Sequence, residues 1–146
     1  MATLKELLGV GERRAAVIDD ALTVLDAEVA DKGGVSGLAI KAAYATVKGI
    51  QPGFVRKVVS HLLDDFLDRL DPVYQEALQA GKPPGEHLVA ERARVASALL
   101  EVTDARAESS DKPVIKKAYQ RLRPSAARHV EDAAPRLAAM LERHTA

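Results

Sequence analysis

The sequence predicts an all-α fold: a compact bundle of about eight helices, built from two similar four-helix halves about an approximate two-fold axis. Three observations carry this expectation. Apolar residues recur at the helical period throughout, and no convincing stretch alternates with a period of two. Aromatic residues are only 3% of the chain, so Leu, Val and Ala must fill the core, and alanine favours helices that approach closely. Finally, "IKAAY" begins at Ile40 and "IKKAY" at Ile115, near-identical words 75 positions apart. A short α-solenoid with a concave face is the alternative arrangement.

The helices follow in order. Thr3 and Glu6 have capping-box spacing and open a short helix that stops near Gly9 or Gly11. A long helix is expected from about Glu12 to Lys32, with Ile18, Leu22, Leu25 and Val29 on one face. Gly33 and Gly34 end it, and Ser36 is the expected N-cap of a third helix reaching Lys48. "GIQPG" then breaks the chain before "FVRKVVSHLLDDFLDRL", whose paired apolar positions from Phe54 to Leu70 form a stripe wide enough for two neighbours. Asp71 and Pro72 read as the N-cap and first residue of the next helix.

From Tyr74 the plan repeats. "YQEALQAG" lies against "LKELLGVG" at an offset of 70, and five extra residues within "KPPGE" bring the offset to 75. Ile40, Lys41, Ala43, Tyr44, Val47 and Lys48 then match Ile115, Lys116, Ala118, Tyr119, Leu122 and Arg123. Val55, Leu62 and Phe66 match Val130, Leu137 and Leu141 without a gap. The expected organisation is one domain over 1–146 with repeats at about 4–70 and 74–145, packed as a duplicated dimer would be. Pro135 falls inside the last expected helix, which it should kink or restart.

Composition excludes several function classes. The 146 residues include 21 basic and 21 acidic side chains, so no net field marks a nucleic-acid or membrane binder. There is no cysteine, which removes disulfide scaffolds, thiol nucleophiles and zinc-thiolate sites. "MATLKELLGVGERR" lacks the basic and apolar regions of a signal peptide, and no stretch approaches the roughly 18–20 apolar residues of a membrane span. A soluble, cytoplasmic protein is expected.

Reactive constellations are absent. The glycine stretches offer no phosphate-loop pattern and the serines no GxSxG elbow, so no catalytic residue, cofactor or metal is assigned. His61 with Asp64 or Asp65, and His87 with Glu91, have spacings that share a helix face, but two ligands do not make a metal site. Asp64, Asp65, Asp68 and Asp71 read as a solvated helix end. Tyr44 and Tyr119 read as core residues whose hydroxyls find a partner.

One segment points to binding. From Lys112 to Val130 there is no acidic residue, while Lys112, Lys116, Lys117, Arg121, Arg123 and Arg128 are all cationic. Such a patch suits an anion or a protein partner; it reads equally as a plain solvated face, or as solvent-facing charge that answers the acidic end at Asp64 to Asp71 within the fold or across a homodimer. Without interleaved aromatics it gives no strong nucleic-acid signal.

"DKGGVSGLAIKAAYATVKGIQPGFVRKVV", "LDPVYQEAL", "GKPPGEHLVAERARVASALLEVTDA" and "AAPRLAAMLERH" together resemble a family of small all-helical bacterial proteins with no assigned function. The resemblance implies a bacterial source and contributes no site residue. The function expected from the residues is a non-catalytic interaction or structural protein. The alternatives are a binder of a small apolar or amphipathic ligand between the halves, and a metal-dependent enzyme using His61 with Asp64 or Asp65.

Overall fold

A computed structural model describes residues 2–146, and every described element is helical. There are seven helices among them: α1 (Leu4–Leu8), α2 (Gly11–Asp31), α3 (Gly34–Lys48), α4 (Phe54–Gln79), α5 (Pro84–Ala90), α6 (Arg92–Glu108) and α7 (Pro113–Thr145). The capping box at Thr3 is present, with the Thr3 hydroxyl accepting from the Glu6 N–H and Glu6 reaching back to the Thr3 N–H.

The helix count differs from the expected eight because two boundaries vanish and one appears. α4 runs through Asp71 and Pro72 to Gln79. A proline inside a helix forfeits one backbone hydrogen bond. Here the added turn buries Val73, Tyr74 and Ala77, and burying one large apolar side chain yields roughly 1.5–3 kcal/mol. Asp71 does not cap a new helix. Its carboxylate instead accepts the Leu4 N–H at 2.9 Å and docks the start of α1 onto α4.

The second lost boundary lies in α7, which continues past Pro124 and Pro135 without restarting. Position by position, "GIQPG" (residues 49–53) aligns with "PSAAR" (residues 124–128). Gly53 adopts φ +75°, a left-handed conformation that glycine reaches freely, and so breaks the chain before α4. The aligned segment holds no glycine, and the helix runs on. The added boundary is at Glu91, whose φ of −100° and ψ of 24° separate α5 from α6 where α2 is unbroken. Ser36 is not the N-cap of α3 either; that position is Gly33, and the Ser36 hydroxyl accepts from Arg128 instead.

α4 is the spine. Leu63, Leu67, Leu70, Val73 and Tyr74 meet Leu4 and Leu8 of α1, Val17 and Ile18 of α2, Leu88 of α5, Val95 of α6, and Ala134, Ala138 and Leu141 of α7 in one core. The wide apolar stripe read from Phe54 to Leu70 is thus shared among several helices, as its breadth requires. α5 sits close to the end of α7 because Gly85 has no side chain there; its N–H donates to Glu142 Oε1 at 2.9 Å, where a Cβ would meet that carboxylate.

Leu67 is 3% exposed and Leu38 is 68% exposed. Leu67→Ala should therefore cost about 2–5 kcal/mol in urea unfolding, whereas Leu38→Ala should stay within about 0.5 kcal/mol of the parent.

Candidate functional site

The basic segment occupies the first half of α7, and its surroundings define the candidate site. At one end Arg128 Nη2 donates to Ser36 Oγ at 3.2 Å, tying it to the start of α3. At the other, the Lys112 ammonium stands 5.9 Å from the Phe54 ring centroid, just past the end of α3. α3 therefore runs antiparallel to the first half of α7, and "IKAAY" and "IKKAY" belong to neighbouring helices.

This pairing joins two acid-free segments. One is the basic run from Lys112 to Val130. A second runs from Lys32 to Leu63 without a single Asp or Glu, and counting acids in a sliding window would have found it. The exposed side of α7 here carries Val114, Lys117, Arg121 and Arg128, and that of α3 carries Val35, Leu38, Lys41 and Ala42. Among the described residues, Lys112, Lys116, Lys117, Arg121 and Arg128 make no ion pair; Arg123 pairs with Asp104 at 2.9 Å. The acidic end does not answer them. Asp64 is taken by Arg14 at 2.8 Å and Asp68 by Lys5 at 3.3 Å.

The two matched tyrosines flank the pair in equivalent ways. Tyr44 of α3 donates to Asp26 of α2, which also lies 3.8 Å from Lys48. Tyr119 of α7 donates to Asp104 of α6, which also binds Arg123 through both carboxylate oxygens, at 2.9 and 3.2 Å. Burial and then the neighbouring carboxylate push both phenols above their ordinary value. Arg123 and then Tyr119 hold Asp104 below the usual carboxylate range. These half-buried clamps fix both helices to their outer neighbours.

Two open clefts lie beside these elements. One of about 370 Å³ runs between α4 and α6, lined by Asp65, Asp68, Arg69, Glu101 and Arg106. The other, about 390 Å³, lies where α2, α3 and α7 meet. At its floor Glu28, only 9% exposed, binds Lys32 at 3.2 Å and Arg136 at 2.8 Å. His129 also lines it, and both ring nitrogens are shielded from solvent without a partner. Charged linings of this kind hold water or a polar guest; neither cleft has the apolar lining that a hydrophobic ligand takes.

Of the histidines with metal-ligand spacing, His61 is exposed and joins no group of three ligands among the described residues. His87 and Glu91 do, because α4 adds Glu76 to them. His87 Nε2 lies 3.2 Å from Glu76 Oε1, and Arg94 grips Glu76 at 2.8 and 2.6 Å. Those donors, Arg94 foremost, lower the Glu76 pKa to about 2. No sequence spacing announces Glu76, which approaches from a separate helix.

A family model matches residues 4–145. The chain belongs to DUF6918, a family of unknown function. The DUF6918 match spans α1 through α7. The chain matches no curated protein and no solved structure. No described helix of this DUF6918 member is long and apolar enough to cross a membrane.

His129 gives the site a pH signature. Burial, then the charges of Lys32 and Arg128, lower its pKa below the ordinary 6.5. The fold thus keeps the ring neutral where the unfolded chain would take up a proton. The associated stability is complete above the unfolded pKa and is lost as pH falls from 6.5 toward the folded value. His129→Leu should therefore flatten the fall in melting temperature between neutral pH and about pH 5, measured by circular dichroism.

Proposed function

We propose that this DUF6918 chain is a non-catalytic interaction protein whose docking face is the antiparallel pair of α3 and the first half of α7. The observation that carries the reading is the meeting of two acid-free segments, one largely apolar and one basic. Apart from two lysines, α3 is composed of apolar, small and uncharged residues, yet only Gly37 among them is buried. A helix of that composition is normally covered on most sides. Val35 is 86% exposed, Leu38 68% and Val114 43%. Total accessible surface, 8103 Å², also exceeds the roughly 7,200 Å² typical of a 15.6 kDa chain.

The partner that fits is a protein segment presenting acidic side chains around a few apolar anchors. Five cations without an ion-pair partner favour carboxylates. A second copy docking through the same face about a two-fold axis perpendicular to these helices would set basic stripe against basic stripe. An anionic bilayer suits it less well, because the apolar anchors lie apart. Val35 and Leu38 are at the Arg128 end and Val114 at the Phe54 end, whereas insertion wants a continuous apolar face, commonly with Trp or Phe.

The same proposal covers the organisation: a single domain over 1–146 whose halves, about 4–70 and 74–145, are related by an axis between α3 and α7. Its support is that matched residues do matched work. Tyr44 and Tyr119 each bind an aspartate on the preceding long helix, and Lys48 and Arg123 approach those same aspartates. The acceptor shifts by about one turn, from Asp26 to Asp104, against the offset of 75 between the tyrosines.

Photo-crosslinking from position 38 in producing cells tests the reading. Crosslinks to acidic protein segments are expected, and Lys116→Glu, Lys117→Glu and Arg121→Glu together should abolish them, while Lys82→Glu leaves them intact. Crosslinks that ignore the triple charge reversal would overturn the proposal. So would crosslinks to a second copy, or saturable binding to phosphatidylglycerol vesicles that the reversal removes.

A further inference from the structure

The geometry points to a binding site for a late first-row divalent cation, formed by Glu76, His87 and Glu91, with Arg94 as its built-in competitor. The three residues come from separate places: Glu76 from the end of α4, His87 from α5, and Glu91 from the bend between α5 and α6. Each offers one donor atom, and these atoms all lie within 4.8 Å of one another. Donors bound to one ion at ~2.0–2.2 Å stand roughly 3.3–3.6 Å apart in tetrahedral geometry. His87 Nε2 and Glu76 Oε1, at 3.2 Å, are already at that spacing. Glu91 needs to move by little more than ~1 Å to join them.

The backbone supports the arrangement. The Glu91 N–H donates to the His87 carbonyl at 2.9 Å, closing the turn that puts both side chains on one side. The His87 side chain is 12% exposed, so packing limits where its ring can point, while Glu76 and Glu91 remain open to solvent and to an arriving ion. The other histidine–acid cluster lacks this character. At Asp20, Arg143 and His144 converge on a single carboxylate.

The donor set selects the ion. One imidazole with two carboxylates suits Zn²⁺ and its neighbours, whereas Mg²⁺ and Ca²⁺ prefer oxygen throughout. Three protein donors leave at least one position for water. Arg94 now supplies the positive charge. Its two terminal nitrogens hold both oxygens of Glu76, and Nη1 lies 4.0 Å from Glu91. A cation on Oε1 displaces Nη1 and the His87 proton while Nη2 can keep Oε2. Arg94 thereby opposes binding by charge and occupancy while continuing to orient the carboxylate.

Competition by Arg94 separates this site from casual surface binding. Untagged full-length protein would be titrated with Zn²⁺ against a chromophoric chelator, with Co²⁺ absorption reporting ligand number. The wild type should take up one equivalent. His87→Gln, which keeps a donor facing Glu76 and so preserves the fold, should weaken binding by at least about tenfold, as should Glu76→Gln. Arg94→Ala should tighten it, and His144→Gln should leave it unchanged. No saturable uptake by the wild type, uptake indifferent to His87→Gln, or weakening by Arg94→Ala would each overturn the assignment.

Discussion

The continuous apolar stripe of α4 is the constraint on which the rest of the structure depends. It carries Leu63, Leu67, Leu70, Val73 and Tyr74 into one core with residues of α1, α2, α5, α6 and α7. Because α4 crosses Pro72 without ending, Val73 and Tyr74 extend the same helix into the same core. Asp71, freed from capping, holds the first turn of α1 against this spine.

With the core concentrated on α4, α3 and the first half of α7 are left at the edge. Each is clamped sideways through a tyrosine and a cation to an aspartate, of α2 and α6 respectively, and α3 gives the interior only Gly37. A neutral chain thus acquires a strongly positive local surface. Its acids are spent elsewhere: Asp64 on Arg14, Asp68 on Lys5, and Glu28 on Lys32 and Arg136. Charge balance over a whole sequence says little about the field over one face.

Much of this was legible in the residues. The Thr3 capping box, the span of the second helix and the stripe on α4 follow from local chemistry; Tyr44 and Tyr119 find hydroxyl partners as expected, but on neighbouring helices and half-buried rather than in the core. The misread boundaries have separate causes. Asp71–Pro72 carries a strong helix-ending signal, but burial of Val73, Tyr74 and Ala77 outweighs the cost of a lost backbone bond, whereas residues 124–128 lack the glycine that breaks the chain at Gly53. Ser36 has the side chain of a cap, yet Gly33, three residues earlier, takes that place. The His87–Glu91 spacing gave two ligands, and the third was invisible because Glu76 meets them only through the fold. The unpaired state of Lys116, Lys117 and Arg121 likewise depends on where Asp64 and Asp68 point.

The two acid-free segments lie side by side and antiparallel, forming one face. The chain has no cysteine, so spin labels can be placed without first removing native thiols. Electron–electron resonance between labels at positions 38 and 127, and separately at 38 and 114, reads the arrangement directly, since all three sites are exposed. A clearly shorter distance is expected for the 38–127 pair. A shorter distance for 38–114, or two equally long ones, would mean that α3 and α7 do not form the face on which the proposed function rests.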